Sequence, residues 1–392
     1  MNRAKIYFLL GCLVAAVGCQ TIAESSYVKP GVKPELKTTE AGLWMHFDRM
    51  EQKVKTSGML VTDKKLNSYM QNLVCKLAGE YCPDIRVYTL KVPQFNASMA
   101  SNGMMQVWTG LLLRVQNESQ LAAVLGHEIT HYTKKHSLKR AIDIKNKGNF
   151  LAVFNVALAG AGTVYGVDTR GLSDLTQLGL IGSIQAYSRD HEREADAEGL
   201  DLLMKLGYAA EGAPEIWENM IGEQEAGDKS SGGLFLASHP APEERIKNLR
   251  EKAKEKKVSG TPKIGEKKFL ENVLPHRSEW FLHELEHKKF AEMDFVLKNL
   301  AFSPLHKGEL HFLRGELIRK KADEAYIPKA ISQYQKSIEL DPSDPRPRKS
   351  IGLLLMKTDQ KQLAAENLEK YIALKPDAED ILMIKKYIEQ LR

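Results

Sequence analysis

Cysteine and proline are scarce in this sequence, glycine is no more than ordinary, and net charge is small once its N-terminus is set aside. Four Cys among 392 residues exclude a disulfide-stapled miniprotein. With 28 Gly and 15 Pro the chain is no collagen, and 43% hydrophobic with 27% charged residues excludes a wholly disordered one. The length then suggests two or three domains, each able to bury a core. A formal charge of +6 would suit an anionic partner, but two of those charges, Arg3 and Lys5, precede an apolar run. A further excess of four lies between Glu243 and Glu271, where ten Lys or Arg face six Asp or Glu. That stretch has no aromatic interleaving and reads as a solvated helix and linker, not as a nucleic-acid surface.

Long apolar runs are missing too. Ile6 to Gly18 is uncharged for 13 residues, which is a secretory signal pattern and too short for a comfortable membrane helix. Ala16-Val17-Gly18 before Cys19 resembles the lipobox of bacterial lipoproteins, which implies cleavage there and lipidation of Cys19. Gln20 after it resembles the pattern that directs such proteins to the outer membrane, so the expected location is the periplasm, anchored to that membrane. Gly148 to Val167 carries no charge, but it is diluted by Gly, Asn and Ala and reads as a loop or buried helix near the active site more than as a span. Cys75 and Cys82 stand seven apart, across a helix end (Leu66 to Ala78) and the turn before a strand. In an oxidising compartment they can form a disulfide.

The strongest chemical signal is His127-Glu128-Ile129-Thr130-His131. Asn117 and Gln120 supply a helix cap and capping box, and Leu121, Val124, Leu125 and Ile129 recur at helical spacing. Residues four apart share a helix face, so His127 and His131 can present two imidazoles to one zinc ion. Glu128 beside them can take a proton from a water that the metal acidifies. A third ligand is expected downstream, on a carboxylate-rich helix from Tyr187 to Gly199. Glu192 and Asp196 share one face of it, and Glu194 and Glu198 share another; spacing leaves both registers open.

HExxH followed about sixty residues later by ExxxD, with Ser188-Arg189 before it, resembles the zinc peptidases that include the CAAX prenyl protease and the heat-shock protease HtpX. The resemblance covers roughly residues 45 to 250. It implies Glu192 as the third ligand and Asp196 as its supporting carboxylate. Ser238-His239-Pro240 with Arg245-Ile246 resembles a late segment of that family, which implies His239 as oxyanion donor or auxiliary zinc ligand. Phe95 to Gly110 alternates around Asn102-Gly103, a dipeptide favoured at two-residue hairpin turns. The resemblance implies that Asn96-Ala97 lies on an edge strand able to take up an extended peptide. Ser98 stands where the family commonly has an aromatic, and a proline before the turn is missing. His136 and His191 read as surface residues.

Downstream, Gly352, Ala364, Leu368, Tyr371 and Pro376 fit the tetratricopeptide pattern, and Ala330, Tyr334, Ser337 and Pro342 repeat it one period of about 34 residues earlier. The expected fold is α+β, mostly α: a gluzincin-type zinc peptidase domain with a small sheet, then an all-α repeat domain. The expected division is a signal over 1–18, a lipid-anchored tether over 19–44, the peptidase domain over 45–250, a charged linker over 251–275 and repeats over 276–392. The resemblance implies a zinc endopeptidase, with one Zn2+ per chain, that degrades misfolded or stalled envelope proteins. Its repeats would contact clients or the outer-membrane assembly machinery, with no nucleic acid involved. A periplasmic chaperone or scaffold with occluded proteolysis is the competing reading.

Overall fold

The computed structural model describes residues 27–146, 187–227, 235, 238–240, 242–256, 260–300, 307–323 and 325–392. The expected signal, Cys19 and the Gly148 to Val167 segment lie outside the described residues. Among those described, no helix is long and apolar enough to cross a membrane.

Side-chain caps fix the first helices. Thr38 accepts from Ala41 N to start α1 (Thr39–Thr56), and Asp63 accepts from Leu66 N to start α2 (Lys64–Ala78). Of the stretch expected as a tether, the described residues ahead of α1, 27–38, pack against the domain. Val28 is buried and donates its N–H to the Thr133 carbonyl, and Gly31 N donates to Asp84 Oδ2, so this arm is docked, and helix already begins at Thr39. Cys75 and Cys82 are joined in a disulfide that ties α2 to the 3₁₀ turn Gly79–Asp84.

Three strands follow: β1 (Arg86–Leu90), β2 (Ala97–Met99) and β3 (Met104–Trp108). Their order is β1-β3-β2, with β1 parallel and β2 antiparallel to β3. The β2–β3 connection corrects the two-residue turn. Ala100 pairs with Met104, and Gly103 N donates to the Ala100 carbonyl, leaving the three-residue loop Ser101-Asn102-Gly103. Gly103 takes the left-handed conformation at φ 85°, while Asn102 does not, so the loop is a turn closed by a glycine bulge. Glu51 of α1 holds it down through Asn102 Nδ2, Arg86 and Tyr88.

After α3 (Thr109–Arg114) comes the central helix α4 (Glu118–Thr133), whose residues Glu118 to Tyr132 are all buried. A helix buried on every side needs partners all round. Here they are α2, strand β2, α6 (Arg189–Lys205) and α7 (Gly212–Ala226), with α5 (His136–Asn146) at its end. The helix α8 (Pro242–Glu255) then covers α6 and α7.

The stretch 251–275 is not a linker along its length. Lys263 is tied back to the peptidase domain through backbone bonds with Gly207 and Ala209, and residues 266–285 form the continuous helix α9 (Glu266–Leu285). Phe269, Leu270, Val273 and Trp280 of α9 lie in the peptidase core, whereas Phe281 and Leu285 join the next one. That second core is built by α10 (Phe290–Asn299), α11 (Lys307–Lys321), α12 (Tyr326–Leu340), α13 (Pro345–Met356) and α14 (Lys361–Leu374), with α15 (Ile381–Leu391) closing the chain. Successive helices contact their chain neighbours. Small residues set the crossings: a Cβ on Gly315 would lie 2.4 Å from the Tyr334 ring, and one on Gly352 2.7 Å from Leu368.

Candidate metal centre

The first turn of α4 is set by Asn117 Oδ1, which accepts from Gln120 N at 2.9 Å, while Gln120 Oε1 reaches back to Gln116 N at 2.9 Å. Two turns on, His127, Glu128 and His131 face into the core and are almost fully buried. On α6, Ser188 caps the start by accepting from His191 N, which puts Glu192 in the first turn and Asp196 one turn later. The two helices meet at paired glycines: a Cβ on Gly199 would lie 2.8 Å from the His127 amide nitrogen. This close approach brings both carboxylates to the histidines.

Four donor groups converge. His127 Nε2 lies 2.9 Å from His131 Nε2 and 3.2 Å from His239 Nδ1. Glu192 lies 3.5 Å from each of His127 Nε2 and His131 Nε2 and 3.1 Å from His239 Nδ1. Zinc bonds of about 2.0–2.1 Å in a tetrahedron would separate ligand atoms by about 3.3 Å, which these spacings match. The outer ring nitrogens explain the tautomers. His127 Nδ1 sits 3.0 Å from Asp196 Oδ1 and donates to it, and His131 Nδ1 is engaged at 2.8 Å by His136. Both Nε2 atoms therefore carry lone pairs aimed at one point, an arrangement that a cation relieves.

The charges agree. Burial and the Arg245 charge lower His127, and burial with neighbouring imidazoles holds His131 well below the ordinary histidine range, which favours the neutral, ligating form of both. Burial pushes Glu128 up to about 7, against the pull of His239 and with Glu192 adding to the rise. Its Oε1 has no hydrogen-bond partner among the described residues and lies 3.5 Å from His239 Nε2. Arg245, only 2% exposed, donates to Asp196 through Nε at 2.8 Å and Nη2 at 2.5 Å, and its Nη1 lies 2.7 Å from Glu192 Oε2. The guanidinium stacks 3.7 Å over the Trp217 ring. Arg245 Nη2 also passes 3.2 Å from His127 Nδ1, but it already donates to Asp196, the stronger acceptor.

Residues 61–253 match the family described as Peptidase family M48. This stretch is an M48 metallopeptidase domain. Beta-barrel assembly-enhancing protease of Escherichia coli K12 is 25% identical over 259 residues, which cover 62% of this chain and 52% of that protein. Its Yersinia pestis counterpart is 27% identical over 223 residues, covering 54% and 43%. Metalloprotease YcaL of Escherichia coli K12 is 31% identical over 161 residues, covering 40% and 58%. The chain spans about half the length of the curated relatives it matches.

Within the M48 domain the structure chooses between the carboxylate registers. Glu192 and Asp196 face the histidines, whereas Glu194 and Glu198 turn outward to Lys134. It also corrects the surface position expected for two histidines. His136 is completely buried against His131, and His191 is half-buried with its ring stacked on that of His136 at 4.3 Å. The signal was the HExxH string extended by a histidine just beyond the helix, where Lys135 turns the chain with φ 53°. Arg245 is a further residue of the site, one for which the sequence alone indicates no role.

β2 pairs with β3 on one side, and among the described residues its other side is unpaired, so Ala97 lies on an edge strand with Asn96 just before it. Asn96 is fully buried, and neither polar atom of its amide has a partner among the described residues. A test of the helix contact follows from the glycine pair. Gly199→Ala is expected to cost about 1–3 kcal/mol by overpacking, despite the gain in helix propensity, and to weaken metal binding as α6 is pushed off α4. Denaturant unfolding and chelator competition measure the two effects.

Proposed function

We propose that the chain is a zinc-dependent endopeptidase that degrades misfolded or stalled envelope proteins in the periplasm. The observation that carries this reading is the convergence of His127 Nε2 and His131 Nε2 with Glu192, beside a buried Glu128 whose Oε1 lacks a partner among the described residues. His127, His131 and Glu192 would hold the ion, and Asp196 fixes the His127 ring by accepting from Nδ1. A zinc ion held there supplies Lewis acidity, which acidifies water and polarises a peptide carbonyl. Glu128 is the general base, taking the proton of the attacking water and passing it to the leaving amine. The free edge of β2 would bind the substrate as an added strand, its backbone held by ladder bonds and by the unpartnered Asn96 amide. The repeat helices would bind clients or the outer-membrane assembly machinery, and lipid on Cys19 would anchor the chain.

His239 aims Nδ1 into the donor group and Nε2 toward Glu128, so in this arrangement it fills the position a substrate needs. It would have to swing aside before donating to a developing oxyanion. His239→Ala is therefore expected to loosen metal binding while raising basal casein cleavage several-fold; a drop in cleavage with metal retained would mean that its oxyanion role dominates. The same closed arrangement favours a second reading, a periplasmic chaperone with occluded proteolysis. Metal content and casein cleavage of purified protein, with and without chelator, test the proposal. Metal-free wild-type protein would sink it, and zinc-loaded but inert protein that suppresses client aggregation would favour the chaperone.

A further inference from the structure

We infer that His136 is a positioning residue, the middle of a His131–His136–Glu194 relay that fixes the tautomer and aim of one metal-ligating imidazole. The inference rests on the metal reading above. The two ligating histidines are held differently. His127 leans directly on a carboxylate, Asp196, in the arrangement common at zinc sites. Among the described residues His131 has no carboxylate on its outer nitrogen; its Nδ1 meets His136 Nδ1 at 2.8 Å, and His136 Nε2 meets Glu194 Oε2 at 3.0 Å.

The proton positions in that chain follow from its ends. Glu194 accepts, and it is further held by Lys134 at 3.2 Å, so the proton between it and His136 sits on His136 Nε2. His136 Nδ1 is then an acceptor, the proton in the 2.8 Å contact belongs to His131 Nδ1, and the His131 Nε2 lone pair is left facing the donor group. Reversing the chain would put a proton where the metal belongs. Rotation of the His131 ring is blocked as well, because Tyr187 stacks on it at 3.8 Å and 15°, with its hydroxyl 2.9 Å from Ser137 Oγ beside His136. His136 does not ligate from where it stands, since it touches the side of His131 opposite the converging Nε2 atoms. Its completely buried ring, reached through the turn at Lys135, thus links a partly exposed carboxylate to a buried ligand by hydrogen bonds.

The test compares full-length His136→Asn and His136→Leu by zinc affinity in chelator competition and by the absorption spectrum of the cobalt(II)-substituted protein. The Asn carbonyl can accept from His131 Nδ1, and Leu cannot. His136→Leu is expected to bind zinc about 10–100-fold more weakly with an altered cobalt spectrum, and His136→Asn to stay within about threefold of wild type. Equal losses in both variants, or wild-type affinity in a folded His136→Leu, would overturn the relay. Should His136→Leu fail to fold, Glu194→Leu replaces it, and undiminished affinity there would overturn the relay equally. The underlying reading fails separately: if wild-type protein binds no zinc, or if His127→Ala binds it as well as wild type, the metal site itself is wrong.

Discussion

Glu128→Gln is expected to reduce casein cleavage by about 10²–10⁴-fold while the protein keeps its full complement of zinc. Gln has the shape of Glu, so the packing of α4 against β2 should survive, but an amide cannot take up the proton of an attacking water. The side chain is buried, its Oε1 lacks a partner, and it stands outside the His127, His131, Glu192 and His239 donor group, so nothing assigns it a ligating duty. Metal analysis and cleavage rate must be read together. A variant that cleaves at wild-type rate would remove Glu128 from the chemistry, and one that loses zinc would make it a ligand.

The parts of this site that follow a helical repeat could be read from the sequence, and the parts that depend on tertiary contact could not. His127 and His131 lie one turn apart on a capped helix, so spacing alone puts them side by side. Glu192 and Glu194 are equally spaced from their own partners; what separates them is the Gly126 and Gly199 contact that sets which face of α6 meets α4, and resemblance supplied it in place of physics. His136 lies five residues beyond His131, off the helix face, and becomes a neighbour through a left-handed turn at Lys135. Arg245 needs α8 laid over Trp217 before it reaches Asp196. The misplaced linker has a compositional cause. Lys267, Lys268 and Glu271 give the first turns of α9 a charged outer face, which hides that Phe269, Leu270, Val273 and Leu274 are buried.

Arg245→Met is expected to destabilise the metal-free protein by about 3–5 kcal/mol, and the zinc-loaded protein by distinctly less. Arg245 is the guanidinium beside three buried carboxylates, Glu128, Glu192 and Asp196, which leaves the centre with a formal charge of −2 when all are ionised and the imidazoles are neutral. The attraction works both ways: against burial, which raises it, Arg245 holds Asp196 far below the usual carboxylate range. Removing the cation strands Asp196 and Glu192 in a core with no other Lys or Arg partner among the described residues, the costly way to break a buried pair. In the variant the three carboxylates carry −3, and a divalent ion at the converging donors reduces this to −1, so it compensates for part of what the variant loses. Arg245→Lys should fall between, because an ammonium cannot make the paired Nε and Nη2 bonds to Asp196 or keep the planar stack on Trp217. Unfolding midpoints of the three proteins, measured once in chelator and once in zinc, give the comparison. Equal destabilisation in both conditions would mean that Arg245 packs the core without sharing its charge duty with the metal.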